Sequence, residues 1–382
     1  MHFVESLFIG SIVLAAYPIL GYPLVLVLIG AGWGSATRRE QWTPRVTILI
    51  PAYNEVAVIA RTIENKLQQD YPPELMQLIV VSDASDDGTD DVVAAYAGRG
   101  VTLLRQAVRR GKAEGLNAAM RLATGEIVVF SDANSEFAPD AVRQIVENFA
   151  DPTVGYVTGD LELYSVQSSV ASAGGGFYQR YEGWLRRLET RVGSVVGVNG
   201  GVDALRRSLY EDVPADQITD FVLPLRVMTA GLRVVYDERV RSREAANLEI
   251  DAEFRMRVRV ALRAIRGLWY ARSVLAPLRR PLATFCIVSH KVLRYGTWVF
   301  MALAFATSAL LAPARPLFAW LLALQAVGYA SVYLLTSRRW PPALQRVAAA
   351  PAYFIVANAA FAVACWRLVR GEKMQTWKPR GG

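Results

Sequence analysis

Between residues 45 and 150 the chain alternates short apolar runs with amphipathic segments, and each run ends in a polar cluster. Residues 46–50, 77–82, 101–105 and 126–131 have the length and apolar character of buried strands, while 56–69, 89–97, 112–123 and 139–149 carry helical spacing. A βαβα order of this kind predicts a parallel, doubly wound sheet with right-handed crossovers. Residues 155–159 are a candidate for a further strand. In such a sheet ligands gather outside the carboxyl ends of the strands. The clusters are Pro51-Ala52-Tyr53-Asn54-Glu55, Ser82-Asp83-Ala84-Ser85-Asp86-Asp87-Gly88-Thr89, Arg109-Arg110-Gly111-Lys112 and Asp132-Ala133-Asn134. Any one of them is an ordinary loop by composition; together on one sheet edge they make a site.

The sharpest of these stretches is Ile127–Ser135. Asp132 and Asn134 stand two apart, so an extended backbone points both to the same side. A carboxylate and an amide oxygen so placed suit a hard divalent cation or a sugar hydroxyl, and the same residues also favour a simple turn. The cluster after the first strand lacks the glycines of a dinucleotide fold, and Gly111-Lys112 lacks the flanking residues of a P-loop. What remains is a pocket with carboxylates, one Lys and neighbouring Arg, which suits a nucleoside diphosphate. The histidines, His2 and His290, lie near or inside apolar segments, so acid–base chemistry in the α/β part falls to carboxylates. Cys286 and Cys365 form neither a metal spacing nor a disulfide framework.

Membrane character is written in the composition: 53% hydrophobic, 20% charged, mean hydropathy +0.23. Residues 6–37 carry no charge, a run longer than the roughly 20 residues that cross a bilayer. The start holds Glu5 and neither Lys nor Arg, unlike a signal peptide. Pro18, Gly21 and Pro23 are expected to kink the helix. Arg38 and Arg39 follow at once and, by the positive-inside rule, put the next segment in the cytoplasm. Residues 295–314, 316–337 and 347–366 are each long enough to span. Arg338, Arg339 and Arg346 then flank a cytoplasmic connection, and three full spans would carry Arg367, Arg370, Lys373, Lys378 and Arg380 to the other side, against the rule. The net charge of +8 clusters beside the apolar segments, which points to a lipid surface and not to nucleic acid. Phe177, Tyr181, Trp184, Leu188 and Val192 share one helical face, as a core-packed helix or a membrane-surface helix would have it. Arg255, Arg259, Arg263 and Arg266 form a stripe on a second such helix, where snorkelling accounts for most of them. The expected organisation is a transmembrane segment at 1–37, an α/β domain at 45–237, interfacial helices at 238–294, transmembrane helices at 295–370 and a basic tail at 371–382.

Over residues 46–270 the motifs Val-Thr-Ile-Leu-Ile-Pro-Ala-Tyr-Asn-Glu, Val-Ser-Asp-Ala-Ser-Asp-Asp-Gly-Thr, Gly-Lys-Ala-Glu-Gly-Leu-Asn and Phe-Ser-Asp-Ala-Asn resemble glycosyltransferase family 2, inverting enzymes of GT-A fold. The resemblance implies a Rossmann-like, doubly wound GT-A domain joined to transmembrane and interfacial helices. It implies that Pro51, Tyr53, Glu55 and Asp83 hold the donor nucleoside, that Lys112 lies by the diphosphate, and that Asp132 opens the D-x-D motif. Asn134 stands where the family usually has Asp, and a neutral amide holds Mg2+ or Mn2+ less strongly. Asn199, Gly200 and Gly201 resemble the acceptor segment. Asp220 is either a first-turn carboxylate complementing a helix dipole or, by the resemblance, the catalytic base. The Gln-x-x-Arg-Trp motif is degenerate here: Val258 or Val260 takes the place of Trp, and Arg255, Arg257 and Arg259 are the candidates to face the diphosphate. The implied function is sugar transfer from a nucleotide-sugar, a UDP-sugar first, to a lipid-linked or glycan acceptor at the inner membrane. A processive polysaccharide synthase and an inactive nucleotide-sensing subunit are the alternatives.

Overall fold

The computed structural model describes residues 1–34, 36–164, 170–245, 250–337 and 342–372, and the side chains of all of these except 170–175, 250–253, 331–337 and 342–350. Arg338, Arg339 and the tail with Lys373, Lys378 and Arg380 lie outside the described residues, as does the side chain of Arg346.

The chain opens with helices α1 (His2–Ala16) and α2 (Tyr22–Trp33), joined by a π turn over Tyr17–Gly21. Pro18 and Pro23 remove two N–H donors from this run, and the wider turn absorbs the break. The α/β region follows as β1 (Val46–Ala52), α3 (Ile59–Leu67), β2 (Met76–Ser82), α4 (Thr89–Ala94), β3 (Val101–Arg105), α5 (Lys112–Met120), β4 (Ile127–Ser131), β5 (Glu136–Phe137), α6 (Ala141–Glu147), β6 (Val154–Tyr164), α7 (Val170–Val192), β7 (Val202–Arg206), α8 (Thr219–Thr229), β8 (Arg233–Ala245) and α9 (Ile250–Tyr270). Helices α10 (Pro281–Ile287), α11 (Leu293–Tyr295), α12 (Thr297–Leu311), α13 (Pro316–Ser337) and α14 (Pro342–Val369) complete it.

One sheet of eight strands runs in the order β3-β2-β1-β4-β7-β6-β8-β5. Strands β3, β2, β1 and β4 are parallel, as the βαβα pattern predicts. The sheet then turns mixed: β7 lies antiparallel between β4 and β6, and β5 antiparallel to β8. The spacing gave no sign of β8, because its far half alternates exposed Arg241 and Arg243 with buried Ser242 and Glu244, so the buried register is itself polar. Side-chain alternation sends Val46, Ile48 and Ile50 to one face, against Ile59, Ile63 and Ile145. It sends Leu49, Val128 and Phe130 to the other, where they share a core with Leu116, Leu185, Val222, and Tyr22 and Leu26 of α2.

That second core ties the N-terminal helix to the α/β unit. The link is fixed at the exit of α2, where Arg39 Nε donates to Asn148 at 3.1 Å and pairs with buried Asp237 at 3.3 Å. Helix α1 packs on α12, α2 on α7, and α14 on both α7 and α9. Helix α7 is therefore an internal element, with Leu185 and Val192 buried while Phe177 and Trp184 stay exposed. Two described helical stretches, His2–Trp33 and Pro351–Val369, are long and apolar enough to cross a membrane. The segment expected at 295–314 is regular helix only over Thr297–Leu311, about 22 Å long, because a turn at Gly296 ends the preceding helical run.

A buried cation lies under the sheet. Lys66 donates to Ser135 O at 2.6 Å and sits 3.7 Å from the Phe137 ring centroid. Burial outweighs the pull of Glu136 and Glu244 and lowers its pKa from 10.5 to about 7. The unfolded chain keeps this proton to higher pH than the folded one, so stability rises with pH between about 7 and 10.5. Melting curves of detergent-solubilised protein from about pH 7 to 9.5 should show that rise, and Lys66→Met should flatten it. An unchanged slope in the variant would assign the effect to another group.

Candidate active site

The polar clusters that end β1, β2 and β4 meet along one sheet edge and brace each other. Asn54, with φ +54°, exchanges hydrogen bonds with Asp86: its Nδ2 donates at 2.8 Å and its Oδ1 accepts from the Asp86 amide at 3.1 Å. The Glu55 amide donates to Thr89 Oγ1 at 2.9 Å, and the Val56 amide to Asp87 at 3.1 Å. Asn tolerates the left-handed region because its side chain can bond locally. Asp83, at the end of β2, is almost fully buried and accepts from the amides of Arg110 at 2.7 Å and Gly111 at 3.0 Å. Its carboxylate thus anchors the loop that delivers Lys112. The Arg109 guanidinium lies 3.6 Å over the Tyr53 ring and 3.8 Å from Asp83.

At the centre of the edge, Lys112 Nζ donates to Asp132 Oδ1 at 2.7 Å and lies 3.6 Å from Asp220 Oδ1. The three residues come from the start of α5, the end of β4 and the first turn of α8. Burial opposes the Lys112 charge, but Asp132 and Asp220 outweigh it and hold its pKa above the ordinary value. Asp220 accepts from Thr219 Oγ1 at 2.9 Å. Behind it, buried Asp203 accepts from Tyr156 Oη at 3.0 Å and from the Gly200 amide at 3.2 Å. Burial, and then the Asp220 charge, raise Asp203 to about 7. Asp203 falls within the stretch Asn199–Ala204 that resembles the acceptor segment, which gives it no role of its own; a lone carboxylate inside the apolar run Val202–Leu205 is the signal for it.

Two cavities meet at this centre. The smaller, about 180 Å³, is lined by Pro51, Glu55, Lys112, Asp132, Asn134 and Asp220, and on its far wall by Arg259 and Arg263 of α9. The larger, about 430 Å³, shares Asp132, Ile218, Asp220 and Val260 with it and continues past Asn199 and Arg257 towards α7, α11 and α14. Tyr53 and Asp83 stand beside the smaller cavity without lining it. Arg255 is exposed and lines neither. Val260 faces both cavities, whereas Val258 is buried against Ala360 and Ala364 of α14. Arg263, which the sequence reading left among snorkelling arginines, donates to Gln217 O at the cavity wall.

Asp132 and Asn134 line the same cavity and supply oxygen donors. Among the described residues no three His, Cys, Asp or Glu side chains converge on a metal position. Mg2+ commonly takes one or two carboxylates and completes its shell with substrate phosphates and water, so this donor set fits a cation shared with a diphosphate.

Gly200 sets how close the two halves of the site come. Its φ is +82°, and a Cβ there would lie 2.6 Å from Asp220 Oδ2. Gly200→Ala should cost about 1–3 kcal/mol in chemical denaturation and displace Asp220, lowering turnover. Wild-type stability and activity in this variant would show that the contact is dispensable.

Residues 47–213 match the model of the family described as glycosyl transferase family 2. The poly-β-1,6-N-acetyl-D-glucosamine synthase of Staphylococcus aureus is 28% identical over 198 residues, 50% of this chain and 48% of that protein. The Staphylococcus epidermidis enzyme of that name is 23% identical over 272 residues, 70% of this chain and 65% of that one. The chain thus spans about half the length of the first relative. A mannosyltransferase of Pyrobaculum calidifontis, solved with GDP-Man and Mn2+, superposes with a TM-score of 0.71 at 26% identity, covering 94% of this chain and 99% of that one. Residues 47–213 thus match glycosyl transferase family 2, on the GT-A fold that the chain shares with that mannosyltransferase.

Proposed function

We propose that this protein transfers a sugar from a nucleotide-sugar to a membrane-associated acceptor, with inversion at the anomeric carbon. The observation that carries the reading is that Asp132 and Asp220, brought from separate elements and bridged by Lys112, line both cavities at their junction. A donor in the smaller cavity and an acceptor in the larger one meet there. The nucleoside lies toward Tyr53 and Asp83, against Pro51 and Glu55. Lys112, Arg259 and Arg263 face the diphosphate and stabilise the charge that builds as it leaves. Arg257, on the wall of the larger cavity, serves the acceptor side, and Arg255 has no part. Asn199 lines the acceptor wall, while Gly200 and Gly201 line neither cavity and act by seating the chain behind it, Gly200 against Asp220.

Asp220 accepts the acceptor hydroxyl proton as the new oxygen–carbon bond forms and the bond from the anomeric carbon to the diphosphate breaks. Buried Asp203, held protonated more readily than an ordinary carboxylate, limits the negative charge behind Asp220. A Mg2+ or Mn2+ ion held by Asp132 and Asn134 would neutralise diphosphate charge. The donor is a nucleoside diphosphate sugar; a UDP-sugar follows from the family resemblance, and GDP-Man is the ligand of the mannosyltransferase neighbour. The α/β domain faces the cytoplasm, beyond the first span and Arg38–Arg39. Val260 offers no flat aromatic surface to hold a growing chain, so one or very few sugars are added to each acceptor. The synthase relatives favour the second reading, a polymer product.

Asp220→Asn should bind donor normally and lose transfer by roughly 100- to 10,000-fold, since only basicity is removed. Activity within a few-fold of wild type would exclude Asp220 as the base. Sizing the wild-type products decides between single addition and a polymer. Excess chelator should abolish donor binding and turnover, and added Mg2+ or Mn2+ should restore both; full activity in chelator would take the metal out of the reaction.

A further inference from the structure

The part of the larger cavity beyond Asp132 and Asp220 is built for an anion. Arg186, Arg257, Lys291 and Arg294 line it, against a single carboxylate there, Glu182. Glu182 is already taken: Arg294 Nη1 lies 2.5 Å from it, and buried His290 3.6 Å. Arg186 is 5% exposed; its Nε donates to Gly197 O at 2.8 Å, its Nη2 lies 3.8 Å from Glu182, and its Nη1 has no hydrogen-bond partner among the described residues. The Lys291 amino group lies against the backbone of Gly197, also without a hydrogen-bond or ion-pair partner among the described residues. Burial, outweighing the pull of Glu182 and Glu189, lowers Lys291 to about 8. Four cations thus share one carboxylate in this part of the cavity, an excess of positive charge that an anionic ligand would offset. The same cavity has an apolar wall of Tyr295, Tyr353, Ala360 and Phe361, the last three on α14, one of the two membrane-length helices.

We propose that Arg186 and Lys291, supported by Arg257 and Arg294, form a subsite for the phosphate of a lipid-linked acceptor. Its lipid runs along α14, and its sugar hydroxyl reaches Asp220. This deepens the reading of the larger cavity as the acceptor side and rests on it. A phosphate fits because Arg186 and Lys291 both reach Gly197 on one cavity wall, and charge-assisted bonds in a poorly hydrated site are strong. A lipid fits better than free phosphate because the apolar wall would otherwise face only water.

Binding of farnesyl phosphate, farnesol and inorganic phosphate to full-length protein in uncharged detergent tests this. Farnesyl phosphate should bind roughly tenfold or more tightly than farnesol, and inorganic phosphate should compete only weakly. Lys291→Met should erase the preference with an unchanged or higher melting temperature, since an unpaired buried charge is lost; Lys291→Arg should keep much of it. Equal binding of farnesol and farnesyl phosphate, or a full preference in Lys291→Met, would overturn the proposal. So would inorganic phosphate or a uronic-acid oligosaccharide competing as well as farnesyl phosphate. Nucleoside diphosphate binding by the same wild-type protein reports on the donor cavity separately, so failure of the glycosyltransferase reading and failure of this one are told apart.

Discussion

The site depends on one ionic contact, Lys112 between Asp132 and Asp220. Two carboxylates from separate elements repel each other where they approach, and the ammonium group between them offsets that repulsion. Their demand on Lys112 is the reason its charge survives burial. The loop before α5 must therefore be held firmly, and Asp83 does this by accepting backbone amides of Arg110 and Gly111. A carboxylate expected to touch the donor thus also builds the frame on which the donor site stands. A bound diphosphate, with its cation, would enter an electrostatic arrangement already in place.

The second constraint is the close approach of Gly200 to Asp220. It seats α8 against the turn before β7 and so brings Asp220 to the mouth of both cavities. Strand β7 runs antiparallel beside β4, which places Asp203 opposite Phe130 and directly behind the ionic cluster. The mixed half of the sheet is what closes the site from the acceptor side. A wholly parallel sheet would leave the end of β4 open there.

The helices around the sheet are part of the same construction. Helix α7 shares the core of the α/β unit through Leu185 and meets α2 and α14 on its other sides, so the cavity that starts at Asp220 ends against α14, whose stretch Pro351–Val369 is of membrane length. Glu189, held by Tyr22 Oη at 2.8 Å and His290 Nδ1 at 2.6 Å, locks α2, α7 and the turn after α10 together at that end. On the proposed reading, an acceptor anchored in lipid and a donor dissolved in water would be served from opposite ends of one path.

Strand and helix order in the first half, the polar strand ends, and Asp132 and Lys112 were legible in the sequence, because apolar period and strand-end chemistry are local properties. The resemblance added the family and singled out Asp220, which by itself reads as a first-turn helix carboxylate. Other features depended on contacts between residues distant in the chain. Strand β8 was hidden because its buried register holds Ser242 and Glu244, which only a tertiary partner such as Ser135 makes tolerable. The register of α9 needed α14: Val258 and Val260 are equivalent by composition, and packing against Ala360 and Ala364 turns one inward and leaves the other on the cavity wall. Arg186 and Lys291 are more than 100 residues apart and each looks like an ordinary helix-surface cation. Whether a charge is solvated or stranded is a property of what packs around it, and that was decided only when α7, α11 and α14 came together.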